Sequence, residues 1–204
     1  MRTIKEIFRS HAVFDDQGRH INGTDKQSNH SYGDAYERLF EVVDRVDRGD
    51  ESTWDGKSFR STREDVRLVM EVGVADGSCV QAWAEVFPNA RIVAMDIHHS
   101  DKAHGDRIEF HLGDQRSQEH CNRAAAGRLF DMIVEDATHR LDDTLRTLLY
   151  LWPFVKPGGI YVVEEFDNIG SLWANVLALF PFAEIVDTKG PLGGGEQLVV
   201  LRKP

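Results

Sequence analysis

No stretch of this sequence is long and apolar enough to cross a bilayer as a helix, and Met1-Arg2-Thr3-Ile4-Lys5-Glu6 lacks the apolar core of a secretory leader. Cysteine is scarce. Cys79 and Cys121 make no metal-binding spacing and no disulfide framework, which points to a reducing, cytoplasmic setting. Positive charge is in deficit: 24 Lys and Arg face 34 Asp and Glu, a net charge of −10. A surface of that sign argues against non-specific binding to nucleic acid or to anionic membrane, both of which need a basic face. Repeats and low-complexity tracts are absent too, which excludes solenoids and arrays.

What remains is an ordinary soluble composition, 41% apolar and 28% charged, over 204 residues. That is enough chain for one core plus a small appendage. We read residues 1–50 as an N-terminal helical and loop segment covering the active site, and 51–204 as the main domain. Within the first segment, residues 1–32 predict a short helix and a loop, and Tyr36, Leu39, Phe40, Val43 and Val46 mark one face of a helix over 33–48. Glu51 to Arg63 reads as a connecting loop.

Strands and helices then alternate. Strands are predicted at Val66–Val74, Arg91–Met95, Ile108–Leu112, Met132–Val134 and Ile160–Val163, with little polar interruption, as strands covered on both faces should look. Helices are predicted from Gly77 to Phe87, Glu119 to Gly127, Leu141 to Val155 (closed by Lys156-Pro157-Gly158-Gly159) and Ser171 to Phe180. Ala183–Thr188 and Glu196–Arg202 follow as two strands. The loop around Pro191-Leu192-Gly193-Gly194-Gly195 is too short for a crossover helix, so this pair must be antiparallel. The expected fold class is α/β: a doubly wound, Rossmann-like, mostly parallel seven-strand sheet with a C-terminal antiparallel hairpin.

Three strand ends carry residues suited to a nucleotide. Glu71-Val72-Gly73-Val74-Ala75-Asp76-Gly77-Ser78 is a strand-to-helix turn in which small residues let backbone approach a ligand. Asp96 ends the next strand, where a carboxylate can accept two ribose hydroxyls. Asp114 and Gln115 follow the third, placed for an adenine edge. Candidate cofactor-binding residues are thus Glu71, Gly73, Asp76, Ser78, Asp96, Asp114 and Gln115. Ala75 interrupts the G-x-G-x-x-G pattern, and the antiparallel end is unusual for a nicotinamide fold. Both favour S-adenosylmethionine over a nicotinamide dinucleotide.

Two acidic clusters stand behind the fourth and fifth strands: Glu135-Asp136-Ala137-Thr138-His139 and Glu164-Glu165. Carboxylates crowded on one rim repel unless a cation or a set of donors holds them. His139 adds a group able to take a proton near neutral pH. His98, His99, His104 and His111 lack regular ligand spacing and read as surface residues. Trp173 could line an apolar acceptor pocket or pack in the core.

Five stretches resemble the metal-dependent sugar O-methyltransferases of macrolide biosynthesis, of the mycinamicin and macrocin type. They are Gly23-Thr24-Asp25-Lys26 with His30 and Tyr32; Glu71-Val72-Gly73; Asp114-Gln115; Asp136-Ala137-Thr138-His139; and Val163-Glu164-Glu165. The resemblance runs over roughly residues 20–200 and implies a class I methyltransferase fold. It implies S-adenosylmethionine as donor, Mg2+ held by Asp136, Glu164 and Glu165, and His139 as general base. The acceptor it implies is a small molecule, a glycosylated natural product. It further implies that the 23–32 segment folds over cofactor or substrate. The sequence departs from the family where Glu135-Asp136-Ala137-Thr138-His139 replaces Asp-Asp-Gly-Ser-His and where Glu165 stands for Asp. The chain is also shorter than the larger members. Oligomeric state is open, a homo-oligomer included. So are a catechol-type methyltransferase, a non-catalytic binding protein and a nicotinamide oxidoreductase.

Overall fold

The strands form where the apolar runs predict them. The computed structural model describes residues 2–27, 30–46, 62–164, 180, 183–189 and 195–204. An N-terminal helix α1 (Ile4–Ser10) opens on a capping box between Thr3 and Glu6, and Ile4, Ile7 and Phe8 are its buried face. A small antiparallel hairpin follows, β1 (Ala12–Phe14) and β2 (His20–Gly23), then α2 (Tyr32–Val46). The hairpin corrects the expectation of a plain loop. Its strands are mostly exposed, so no alternation of apolar residues announced them.

The main sheet comprises β3 (Leu68–Val72), β4 (Arg91–Asp96), β5 (Ile108–Leu112), β6 (Phe130–Glu135), β7 (Val155–Val163), β8 (Ala183–Lys189) and β9 (Gly195–Arg202). Helices α3 (Ser78–Val86), α4 (Gln118–Ala125) and α5 (Leu141–Leu151) connect its parallel strands. The strand order is β5-β4-β3-β6-β7-β9-β8, with β9 antiparallel to both β7 and β8. This is the doubly wound sheet with an antiparallel C-terminal pair that the sequence predicts.

Two boundaries differ. Helix α5 ends at Leu151 rather than Val155, because Pro153 has no N–H for a helical bond and the chain turns through a 3-10 segment, Trp152–Phe154. Strand β7 begins at Val155, so Lys156 to Gly159 lies inside a strand and not in a turn. A shift in the β6–β7 register between Phe130 and Met132 takes up the irregularity. The predicted helix at 171–180, with Trp173, the 191–194 loop and most of the 51–63 loop lie outside the described residues.

Each sheet face buries its own core. Val69, Val134, Ile160 and Val162 pack with Trp83, Phe8 and Tyr36 under α1, α2 and α3. Met70, Val72, Ile133, Tyr161 and Leu148 form the opposite layer, under α4 and α5. Strand order reverses at β3, which has β4 on one side and β6 on the other. The crevice above that point is where open α/β sheets bind ligands. Among the described residues no helix is long and apolar enough to cross a membrane, and Cys79 and Cys121 are both free and buried.

Candidate active site

A cavity of about 1070 Å³ opens above the carboxyl ends of β3, β4, β5 and β6. Gly73, Asp76, Asp96, Asp114, Gln115, Asp136 and His139 all line it, so the sequence-predicted residues from four different junctions do meet. The loop positions are fixed by hydrogen bonds that prolong the ladders: Gly73 N to Met95 O (2.8 Å), Gly113 N to Asp96 O (2.8 Å), Asp136 N to Val72 O (2.8 Å) and Glu164 N to Glu135 O (2.9 Å).

At the β3–β4 end the glycine turn is held from beneath. One oxygen of Asp96, Oδ2, accepts from Val74 N (2.8 Å) and Ala75 N (3.0 Å), and Oδ1 accepts from His98 N (2.8 Å). Asp96 therefore braces the turn as well as facing the cavity. Ala75 adopts a φ of 44°, the left-handed region a glycine would occupy more cheaply. Gly73, at φ 84°, has a role no sequence pattern announces: a Cβ there would lie 2.2 Å from Asp136 O, so its smallness lets the β6 loop cross the turn. Asp76 accepts from Ser78 N (2.9 Å), Ser78 Oγ (3.0 Å) and Lys102 Nζ (2.6 Å). Ser78, expected at the cofactor, is buried and does not line the cavity. The Arg116 guanidinium holds the Asp114 carboxyl below the usual carboxylate range, with contacts of 2.8 to 3.2 Å. Gln115, buried, donates from Nε2 to Thr138 Oγ1 (3.2 Å) and so joins the β5 loop to the β6 loop.

The other end is built by strand parity. Side chains two residues apart share a face. Glu71 follows Val69, Asp136 follows Val134, and Glu164 follows Val162, three pairs on the same face of the sheet. The register aligns Glu71 with Val134 and Val134 with Val162, which sets Asp136 and Glu164 side by side one step further out. All three carboxylates converge on the ammonium of Lys26, a residue of the 23–32 motif to which the sequence reading gave no role of its own. Its Nζ lies 3.0 Å from Glu71 Oε1, 3.0 Å from Asp136 Oδ2 and in hydrogen-bond contact with Glu164 Oε2. Tyr36 donates its hydroxyl to the other oxygen of Glu164, Oε1 (2.6 Å). Lys26, Glu71 and Glu164 are each no more than 1% exposed.

Burial works against the charge on Lys26, yet Asp136, Glu164 and Glu71 together hold it well above the usual lysine range. Burial pushes Glu164 well above the carboxylate range in spite of Lys26. Glu71, expected at the cofactor, lies one step deeper along the sheet than Asp136: it is fully buried and does not line the cavity. Glu135 has the opposite parity and points to the other layer, beside Thr144. Burial there raises it to about 7.

The carboxylate chemistry fits a cation, and Lys26 supplies one charge against three. Asp136, 18% exposed at its side chain, is the member of the cluster that reaches the cavity. Of the predicted metal ligands, Asp136 and Glu164 converge, while Glu165 lies outside the described residues. Among the described residues alone, no group of three or more His, Cys, Asp or Glu is arranged to hold a metal. His139 lines the same cavity, with φ at 55°, a strained conformation for a non-glycine residue. Gly23, Thr24 and Asp25 add a wall from the N-terminal segment, and Asp25 Oδ2 sits 3.0 Å from His30 Nε2, which stacks on Tyr32. The histidines near 100 stay at the surface, and His111 pairs with Glu109 (2.6 Å).

Comparison with known proteins bears on the fold and on the relatives of this chain. Residues 70–166 match the model of a methyltransferase domain family. The chain is 33% identical over 119 residues to mycinamicin VI 2''-O-methyltransferase of Micromonospora griseorubida, covering 53% of this chain and 29% of that one. It is 30% identical over 119 residues to demethylmacrocin O-methyltransferase of Streptomyces fradiae, covering 53% and 30%. The chain thus spans about a third of the length of these relatives. Among solved structures, the MycE methyltransferase of the mycinamycin pathway, in complex with Mg and SAH, superposes with a TM-score of 0.66 at 18% identity. It covers 99% of this chain and 55% of that one. An O-methyltransferase from Bacillus cereus in complex with SAH gives 0.54 at 17% identity, covering 68% and 72%. The fold is the class I methyltransferase fold, and the resemblance to the macrolide sugar O-methyltransferases holds in sequence as well.

Proposed function

We propose, on the premise of a class I methyltransferase fold, that this chain transfers a methyl group from S-adenosylmethionine to a hydroxyl of a small glycosylated natural product, in a cytoplasmic antibiotic-type biosynthetic route. The observation that carries the reading is a single cavity shared by the braced glycine turn, by Asp136 and by His139. The nucleoside of the donor would rest against Gly73, Asp96, Asp114 and Gln115, with its sulfonium directed toward the β6 loop. The named relatives, O-methyltransferases of macrolide sugars, support the acceptor class.

Magnesium is part of the proposal. Asp136, together with Glu164 and Glu165 of the acidic pair, would hold it, and it would supply Lewis acidity that makes an acceptor hydroxyl easier to deprotonate. Every other task falls to the chain. His139 takes the hydroxyl proton. The glycine turn and Asp96 hold the donor, and the 23–26 wall limits water. Fixing the two reactants side by side can supply roughly 7–11 kcal/mol of the barrier reduction, and the base about 10²–10⁴-fold more. On this reading residues 1–50 belong with the site, which Gly23, Thr24, Asp25 and Lys26 of that segment wall.

The test has two parts. Calorimetry should detect S-adenosylhomocysteine and no NAD+. Methyl transfer from labelled donor to a panel of demethylated macrolide glycosides should require Mg2+ and stop with EDTA, while donor affinity survives EDTA. Binding of NAD+ in place of the donor product, or transfer indifferent to EDTA, would refute the corresponding half.

A further inference from the structure

We propose that Lys26 is a positioning residue of this site: its ammonium is the fixed cation that gathers Glu71, Asp136 and Glu164 at the sheet edge. It thereby makes the N-terminal segment a working part of the site. The inference rests on the function proposed above only in taking this cluster as the reaction centre.

Three observations carry it. First, the contacts are shared out. The ammonium reaches one oxygen from each of three carboxylates that come from three different strand ends, β3, β6 and β7. Among the described residues, no other lysine or arginine ion pair reaches Glu71 or Glu164. Second, Lys26 is held by its backbone. Tyr32 N donates to Lys26 O (2.6 Å), Lys26 N meets Thr24 Oγ1 (3.4 Å), and Thr24 N donates to His11 O (3.2 Å). Gly23, at φ 81°, lets the chain press against His11, where a Cβ would lie 2.2 Å from the carbonyl oxygen. Third, the surroundings are apolar on one side. The ammonium lies 5.9 Å from the centre of the Trp83 ring, and Tyr36 closes on Glu164 from α2.

The consequence is electrostatic. Three acidic side chains share one ammonium, an excess of acid over base that a further cation can offset. Removing one partner of a buried ionic cluster leaves uncompensated charge, which costs far more than the cluster contributes as a whole. Without Lys26 the three carboxylates would lean on the divalent ion alone, or spread apart. Lys26 therefore sets both the aim of Asp136 toward the cavity and the residual charge that the ion meets.

A double-mutant cycle tests this without any acceptor. Thermal unfolding of the full chain would be recorded for wild type, Lys26→Met, Glu164→Gln and the double variant, each in EDTA and in excess Mg2+. In EDTA, Lys26→Met should lower the melting temperature by roughly 10 °C. Adding Glu164→Gln should return part of that loss, because one of the acidic groups left without the ammonium is removed. Magnesium should raise the melting temperature more in Lys26→Met than in wild type, since the ion is then the sole cation. A merely space-filling lysine predicts losses that add and magnesium shifts that match, and that result would overturn the proposal. Should Lys26→Met fail to fold, recovery of soluble protein in the double variant supports the proposal and failure of both overturns it. Absence of donor binding in wild type would instead sink the functional reading, because the cycle is measured without donor.

Discussion

At the β3–β4–β5 end of the sheet rim, acids are held by partners no more than 26 residues away, in an open setting. Asp96 is met by backbone N–H groups 22 and 21 residues away, Asp76 by Lys102 26 residues away, and Asp114 by Arg116 two residues away. At the β3–β6–β7 end, acids are buried and share one ammonium that is 110 residues from Asp136 and 138 from Glu164. The difference separates two kinds of work. Local pairs shape a binding surface that can be remodelled cheaply, because solvent screens most of what they do. The buried cluster is expensive to leave incomplete, so it ties distant parts of the chain to one geometry.

The sharpest way to break the contrast is at His139. If the β6 end does the chemistry and the β4 end does the binding, His139→Ala should cut methyl transfer by about 10²–10⁴-fold. Affinity for S-adenosylhomocysteine, measured by calorimetry, should change by no more than a few-fold. A variant that kept transfer would remove the base from the β6 loop. A variant that lost donor binding would erase the division between the ends.

Glu135 tests the burial half of the comparison with a pH signature. Burial raises it from 4.5 to about 7. Its folded state holds a proton that the unfolded chain releases near pH 4.5, so stability falls as pH rises from about 4.5 to 7 and levels off above. At about 1.4 kcal/mol per unit, the loss is up to about 3 kcal/mol. Glu135→Gln should leave stability near pH 4 close to wild type and gain most of that amount at pH 8. Urea unfolding in EDTA would measure it, and a gain independent of pH would show that the carboxyl ionises without penalty.

Asp96 comes next. Its carboxylate accepts from Val74, Ala75 and His98 N–H groups, so Asp96→Ala removes the brace under the glycine turn. Donor affinity should fall about 10-fold or more, at roughly 1.5–3 kcal/mol for a hydrogen bond to a charged group, while the rate at saturating donor changes little. A fall in that saturated rate with affinity intact would place Asp96 with the chemistry instead.

How much of this was legible follows the same division. The main strands and most of the rim residues could be read from the sequence, because apolar runs and the acids that end them are local patterns. The β1–β2 hairpin was not, since neither strand buries a face. Lys26 was visible as part of a motif expected over the site, but not as the partner of the acids, since a lysine in such a loop is ordinarily solvated. What could have exposed it is parity: Glu71, Asp136 and Glu164 each stand two residues beyond a core valine, which puts three carboxylates on one buried face in need of a cation. The same count turns Glu135 away from Asp136.

The smallest effect lies on the edge strand, and it carries the opposite sign to Glu135. Glu109, on β5, is held down to about 2 chiefly by its hydrogen bond with Arg128 at 2.7 Å, with His111 at 2.6 Å assisting. Its stabilising contribution is present above pH 4.5 and is lost as pH falls toward 2. The side chain is 34% exposed, so solvent screens the pair and the full shift does not become stability. Glu109→Gln should cost less than about 1 kcal/mol at pH 6, less still at pH 3.5, and almost nothing in 0.5 M salt. Salt should leave the Glu135→Gln gain nearly unchanged, because that group is 1% exposed and ions do not reach it. Equal salt sensitivity at the two positions would mean that the buried layer admits solvent. The sharing of three carboxylates by one lysine would then be as cheap to break as the surface pair at Glu109.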